Sequence, residues 1–381
     1  MKIKLEGAQR ACTPAETIAR MKPWWPQAGI TRVSEITGLD RCGIPVGQCV
    51  RPDAISLCVD SGKGATADAA MCSAMMEGFE RHVGETAVLD AVTAKGADMP
   101  DTETRFQLIR GAHYNPHTAI DWATMYGIYS NKPCWVPEAC VRTITNQFGF
   151  PFFKFAFFSN TNGLSAGNTL EEAVAGGLYE VIERDQISNA FLSTTDGVVV
   201  DLNTIQDSTL GALVEQLKRN DITPIIIDCT LDIGIPTYVS YVYDREQNSG
   251  MYKGYAAHLD PEVAQCRALC EAVQARTVFM SGSRDDIFHK QFSENKSNDN
   301  KEMIDKLMSL KHTVSSKHHD DLSTDSFVSD IKTILIKLDK ANIPEPLIKV
   351  FKHPYPCAVV KVAIPTLAGY YHASGSVGRR L

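Results

Sequence analysis

Three stretches of this chain read as helices that are apolar on nearly every side and yet carry one polar stripe each. In AMCSAMMEGFER (70–81), Ser73, Glu77 and Glu80 recur at i, i+4 and i+7 and line up along one face. Ala70, Met71, Cys72, Ala74, Met75, Met76 and Phe79 cover the other faces, so the helix is expected to be buried together with its carboxylates. In LEEAVAGGLYEVIERD (170–185), Glu172, Gly176, Glu180 and Glu183 fall within about a quarter-turn of one another, and the glycines keep that face low. In AQCRALCEAVQARTVF (264–279), Arg267, Glu271 and Gln274 repeat the i, i+4, i+7 spacing. Three buried helices with polar stripes are most economically placed with those stripes pointing at one another.

Ionised carboxylates in a core are costly unless a positive partner is present, and like charges gathered together compound the cost. A divalent cation among Glu77, Glu80, Glu180 and Glu183 relieves both. Ligands that are all carboxylate oxygens, with no His or Cys in the stripe, select a hard ion such as Mg²⁺, which usually shares its carboxylates with substrate phosphates and so implies a nucleotide. The competing reading makes these glutamates structural salt bridges to Arg81, Arg184, Arg267 and Arg276. Two E-x-x-E-R repeats plus a third polar helix favour the ion.

The run SGKGAT (61–66) that feeds the first helix is not a Walker A loop, because Lys63 is followed by Gly64 and not by Ser or Thr. A glycine-rich turn before a helix N-terminus still offers backbone N–H groups to an anion, and Lys63 adds charge.

Elsewhere, Thr204 to Arg219 and Asp330 to Ala341 show helical periodicity suited to packing on a sheet. Four segments enter an apolar strand through proline: GIPVGQCV (43–50), KPCWVPEACV (132–141), GIPTYVSYV (234–242) and YPCAVVKVAI (355–364). The last two follow a helix end and a further strand, which hints at internal duplication in an α/β (α+β) protein of mixed sheets packed with helices. The stretch 290–301 is polar and aperiodic, and 290–325 is expected to be a polar surface insertion. Within it, His318 and His319 are adjacent on a solvated loop and are expected to converge poorly on a metal.

At 381 residues the chain exceeds what one core usually serves, so several packed subdomains are expected. A net charge of −7 argues against non-specific nucleic-acid binding. The N-terminus lacks the apolar core of a signal peptide, and no window approaches a membrane span, so a cytoplasmic chain is expected. The eleven cysteines, an odd number without a C-x-x-C pair, read as reduced core thiols; Cys266 and Cys270, one helical turn apart, are the pair to test for sulfur chemistry.

At GKGATADAAMCSAMMEGFERH, NGLSAGNTLEEAVAGGLYEVIERD and RALCEAVQAR the sequence resembles the YcaO family, and the likeness runs from GITRVSEITGLDRCGIPV (29–46) to the final strand. The resemblance implies a YcaO-type fold, with residues 1–28 as an N-terminal extension and 29–381 as the catalytic domain. It also implies an ATP-dependent enzyme that activates a peptide backbone amide by O-phosphorylation. Carried over position by position, Ser73, Glu77, Glu80, Ser165, Asn168, Glu172, Glu180, Glu183 and Arg184 would line the Mg²⁺-ATP site, with Glu77, Glu80, Glu180 and Glu183 holding the metals. Lys63 and Arg81 would assist in binding, and Arg184, Arg267, Glu271 and Gln274 would serve catalysis.

GITRVSEITGLDRCGIPV and SGSRDD (281–286) resemble the branch that works beside a TfuA protein and makes thioamides from an external sulfur donor. The azoline-forming branch ends in a Pro-rich tail, whereas this chain ends ASGSVGRRL. The expected partners are a peptide or protein substrate, a TfuA-like sulfur-delivery protein, a separate leader-binding protein and a second copy of the chain. Two alternatives stand beside thioamide formation: azoline formation from Cys, Ser or Thr, and an ATP-binding accessory role for another sulfur-modifying enzyme.

Overall fold

The structure, a computed structural model, describes residues 2–106, 108, 113–143, 156–157, 159–192, 198–244, 250–283, 298–309 and 313–369. Among them the helices are α1 (Pro14–Met21), α2 (Ala67–Thr86), α3 (Leu170–Leu192), α4 (Ser208–Arg219), α5 (Pro261–Ser281), α6 (Asn298–Ser309) and α7 (Phe327–Lys340). The strands are β1 (Ile3–Leu5), β2 (Ala8–Arg10), β3 (Arg32–Glu35), β4 (Val46–Val50), β5 (Val59–Lys63), β6 (Val92–Lys95), β7 (Ala119–Gly127), β8 (Pro133–Pro137), β9 (Leu164–Gly167), β10 (Val198–Asp201), β11 (Ile222–Asp228), β12 (Thr237–Asp244), β13 (Met251–Ala257), β14 (Thr313–Ser315), β15 (Leu347–Val350) and β16 (Ala358–Ala363). The three polar-striped stretches are α2, α3 and α5, and the four proline-led segments are β4, β8, β12 and β16. The fold is α/β with mixed sheets.

The chain divides into two units, Met1–Gly78 with Ser193–Ser326, and Phe79–Leu192 with Phe327–Leu381; the division falls inside α2. In the first unit, a five-stranded sheet runs β13-β12-β11-β10-β14, antiparallel except for the parallel β10–β14 pair. A three-stranded sheet runs β3-β4-β5. Helix α5 packs on β12 and β13, and α4 on β11. Val46, Leu213, Ile226, Tyr238, Leu269 and Val273 belong to one core cluster between these elements.

Glycines explain how closely α2 and α5 sit on their strands. A Cβ on Gly62 would lie 2.0 Å from the Ala74 nitrogen, and one on Gly254 2.2 Å from the Ala272 nitrogen. Helix backbone therefore rests directly on strand backbone, a seat no side chain permits. Local chemistry starts the helices: Thr66 Oγ1 accepts from Ala69 N at 3.3 Å, and Asp260 Oδ1 accepts from Glu262 N at 3.0 Å.

In the second unit the sheet runs β6-β7-β15-β16-β9, with β8 also paired to β7. Helix α3 packs against β9, β16 and α7. Phe79, Trp122, Met125, Leu178, Ile182, Ile334, Val360 and Val362 are buried here. The order helix, strand, strand appears as α4-β11-β12 in the first unit and α7-β15-β16 in the second, each strand pair antiparallel.

Residues 1–28 belong to the first unit: β1 and β2 pair, and Gln9 Nε2 donates to Asp260 Oδ2 at 3.3 Å and to Ser323 Oγ at 3.1 Å. Of the polar stretch 290–301, residues 290–297 lie outside the described residues, but from Asn298 the chain is helical, with Ile304 fully buried. The supposed insertion then supplies β14, an edge strand of the five-stranded sheet. The helix expected from Thr204 starts at Ser208, where Asp207 caps it by accepting from Leu210 N at 2.7 Å. No described helix is long and apolar enough to cross a membrane. All eleven cysteines are reduced thiols.

Candidate functional site

The second unit brings four of the predicted residues to the neighbourhood of β9. Glu80, on α2, accepts the Ala166 N–H at 2.8 Å. Ser165, on the same strand, faces Gly176 of α3, where a Cβ would come within 2.5 Å of its Oγ. The missing side chain at 176 lets strand and helix approach, as the low face of LEEAVAGGLYEVIERD implies. One and two turns further along, Glu180 and Glu183 flank Arg184, each carboxylate 3.7 Å from the guanidinium. That separation is ion pairing without a direct hydrogen bond.

Sequence reasoning missed the group that links Glu80 to Glu180. Lys361 lies in β16, 2% exposed, and donates to the Asn160 carbonyl at 2.7 Å. Burial pushes its pKa down to about 8, opposed by the negative fields of Glu180, Cys140 and Glu80. One buried ammonium thus feels carboxylates from both α2 and α3. The signal was a lysine inside the otherwise apolar run CAVVKVAI.

Asn168 and Glu172 engage each other at the start of α3. Glu172 Oε2 accepts from Asn168 N at 2.8 Å and Nδ2 at 3.1 Å, and Glu172 N donates to Thr169 Oγ1 at 3.2 Å. The T-x-x-E spacing is that of a capping box, so these two residues order the first turn of the helix that carries Glu180 and Glu183. Asp185, fully buried, follows the E-x-x-E-R motif; its Oδ1 accepts from Ala368 N at 2.9 Å and ties α3 to the segment after β16. Arg81 lies in this unit on α2, half-buried.

The first unit holds the remaining residues. Ser73 and Glu77 are half-buried on α2, Glu77 one turn before Glu80. Lys63, expected to lend charge to an anion at the glycine-rich turn, pairs directly with Glu271 of α5. Glu271 Oε1 also accepts from Tyr255 N at 3.3 Å, so Lys63, Glu271 and β13 form one contact. Gly64 serves packing: its Cβ would lie 2.6 Å from the Ala69 side chain. Gln274 Oε1 points into the protein without a hydrogen-bond partner among the described residues. Arg267 acts on His258, which burial, with Arg267, Lys2 and Arg10 adding to it, holds well below the usual imidazole range. Cys266 and Cys270 stack in the core, where the hydrogen bond to Cys270 and burial push the Cys266 thiol up.

Arg276, one of the arginines a salt-bridge reading would give to the glutamates, is committed elsewhere. It is buried, and its guanidinium donates to Asp40 at 2.9 and 3.1 Å and to Asp244 at 3.0 Å. Arg184 does lie beside glutamates, at ion-pair distance from Glu180 and Glu183, as the structural-pair reading expects for it.

The candidate ligands Glu80, Glu180 and Glu183 are all carboxylate oxygens, two of them already acting on a buried ammonium. That donor set fits a hard divalent ion and its phosphate ligands. A family model described as "YcaO cyclodehydratase, ATP-ad Mg2+-binding" matches residues 61–368. This chain belongs to the YcaO family.

A protein of Methanothermobacter thermautotrophicus is 30% identical over 380 residues, covering 98% of both chains. A Rhizobium leguminosarum bv. trifolii protein named for its place in the tfuA 3′ region is 29% identical, over 94% of this chain and 88% of its own. The solved YcaO of Methanopyrus kandleri, bound with AMPPCP and Mg²⁺, superposes with a TM-score of 0.77 at 22% identity over 99% of this chain and 98% of that one. The YcaO family is one of ATP-dependent enzymes, and its cofactors are ATP and Mg²⁺.

Proposed function

We propose that this YcaO protein activates a backbone amide of a ribosomal peptide or protein and replaces the amide oxygen with sulfur from an external donor. A TfuA-like partner would deliver that sulfur, and residues 29–381 would form the catalytic domain. The observation that carries this reading is the similarity across 94% of the chain to the relative named for the tfuA region.

In this proposal Glu80, Glu180 and Glu183, with Glu77 a turn earlier on α2, hold Mg²⁺. Mg²⁺-ATP, when bound, supplies the phosphoryl group that makes the amide oxygen a leaving group. The chain's own contribution is positioning and charge neutralisation. Lys361 compensates Glu80 and Glu180 from below, and Ala166 N–H fixes the carboxylate of Glu80. Arg184 offsets the charge of Glu180 and Glu183 at ion-pair distance. Asn168 and Glu172 hold the first turn of α3, and Ser165 sits against its low face. On α5, the Lys63–Glu271 pair fixes the polar stripe, Arg267 adds positive charge, and Gln274 completes the stripe with its amide.

The test is incubation of the full chain with ATP, Mg²⁺, sulfide, a candidate peptide and a TfuA-like protein. Peptide-dependent phosphate release with a mass gain of about 16 Da supports thioamide formation, whereas a loss of about 18 Da marks azoline formation. ATP binding with no change in any peptide would favour the accessory role.

A further inference from the structure

We propose that Asp228, His318 and His319 form a binding site for a single borderline divalent cation of the Zn²⁺ class, with one coordination position left open. The two adjacent histidines, expected to converge poorly on a metal, do converge in the structure. His318 Nε2 lies 2.7 Å and His319 Nε2 3.0 Å from the same oxygen, Asp228 Oδ2. One ligand atom from each residue lies within 4.8 Å of the others. All three residues are half-buried, and the edge-on ring of Tyr238 packs beneath both imidazoles, 6.3 and 6.4 Å between centroids.

The convergence is built from the backbone. Asp228 ends β11, and its Oδ1 accepts from Thr230 N at 2.8 Å. The loop after β14 folds back to meet it through a turn in which His318 N donates to Ser315 O at 3.1 Å. Ser316 clamps that turn: its N–H donates to Thr204 Oγ1 at 2.8 Å, its Oγ to Thr204 O at 2.9 Å, and its carbonyl accepts from Gln265 Nε2 at 2.8 Å. The rings therefore meet the carboxylate from a fixed loop.

The hydrogen-bond pattern has room for a positive species between them. His318 Nδ1 lies 2.7 Å from the Ser315 carbonyl, which can only accept, so Nδ1 carries the hydrogen. In the neutral ring the Nε2 lone pair then points at the anionic Asp228 oxygen, lone pair against lone pair. One proton on His318 would resolve this, pairing a single imidazolium with Asp228 while His319 donates as its neutral Nε2–H tautomer, with the rings 4.0 Å apart between centroids. A single shared metal ion satisfies both rings and the carboxylate at once.

Its identity follows from the ligands. Imidazole nitrogen suits Zn²⁺ and its first-row neighbours and is a poor ligand set for Mg²⁺. An Nδ1–H to backbone carbonyl contact is the usual support for a metal-bound histidine. Bonds of 2.0–2.2 Å at tetrahedral angles place ligand atoms about 3.3 Å apart, so the carboxylate need withdraw only a few tenths of an ångström on binding. Three protein ligands leave the fourth position to water or an exogenous donor such as a thiolate or sulfide.

The experiment uses the tag-free full chain, stripped with chelator and titrated with Co²⁺ in the presence of millimolar Mg²⁺. The expected result is one equivalent bound, with a visible d–d absorption displaced by Zn²⁺. His319→Gln and Asp228→Asn should each weaken binding by about 10–100-fold, while Glu183→Gln leaves it unchanged. Far-UV circular dichroism of the metal-free variants verifies that they fold. Stoichiometric binding that is equal in His319→Gln and Asp228→Asn, or absence of binding in the parent chain, overturns the proposal. An imidazolium signal from His318 at pH 7 that metal does not remove does the same.

Discussion

Two buried clusters of acid and arginine solve the same electrostatic problem differently. In the first unit Asp40 and Asp244 meet Arg276, with Arg41 adding a further bond to Asp244 at 3.0 Å, and the Arg276 hydrogen bonds to these aspartates lie between 2.9 and 3.1 Å. Burial alone would raise the Asp40 carboxyl, but the hydrogen bond from Arg276 holds it below the usual range. In the second unit Glu180 and Glu183 stand 3.7 Å from Arg184, and Glu80 takes a backbone N–H. The first cluster is closed by its own counter-ions. In the second, the Arg184 pairings with Glu180 and Glu183 are longer, and a buried lysine, Lys361, feels Glu80 and Glu180 as well.

The comparison is most exposed to a change at Arg276. Arg276→Met strips buried Asp40 of its guanidinium partner and leaves Asp244 with Arg41, and should lower the unfolding free energy by about 3–5 kcal/mol in a urea titration. Arg184→Met should cost about 1 kcal/mol or less, because its contacts are long and its side chain partly solvated. Equal losses would erase the distinction. Next comes Glu183→Gln, which should reduce Mg²⁺-ATP turnover by about 100-fold, near 2.7 kcal/mol of barrier, while leaving the urea midpoint in place; a shifted midpoint with normal turnover would make Glu183 a structural residue.

The smallest effect concerns a basic group kept neutral. His258, buried and near Arg267, Lys2 and Arg10, has a folded pKa well below 6.5, and its Nδ1 accepts from Asp260 N at 2.9 Å. Below pH 6.5 the unfolded chain binds a proton that the folded chain does not. Stability should therefore fall on acidification, by about 1.4 kcal/mol per pH unit at most, until the folded value is reached. His258→Gln should flatten that slope between pH 6.5 and 5, measured as urea midpoints; an unchanged slope would assign it to other groups.

How much of this was legible depended on distance along the chain. The helices α2, α3 and α5 and the proline-led strands were readable because their signals are local: periodicity, glycine and entry prolines. The same locality made the capping role of Glu172 readable in T-x-x-E, though its spacing with Glu180 drew attention to the stripe instead. Long-range partners left no trace. Lys63 and Glu271 are 208 residues apart, and His318 is 90 residues from Asp228. Adjacent histidines look divergent until a turn clamped by Thr204 and Gln265 presents both rings to one carboxylate. Lys361 was visible as an anomaly in an apolar strand, but its neighbours Glu80 and Glu180 come from two different helices.

The strand glycines under α2 and α5 carry one more implication. Because Gly62 and Gly254 leave no room for even a methyl group, the depth of each helix is dictated by the strand beneath it and not by the residues the helix displays. Evolution or engineering can thus vary the exposed letters of these helices widely, while a single added carbon underneath would lift a whole row of polar groups out of alignment. Damage at such a position would be felt where nothing had been altered.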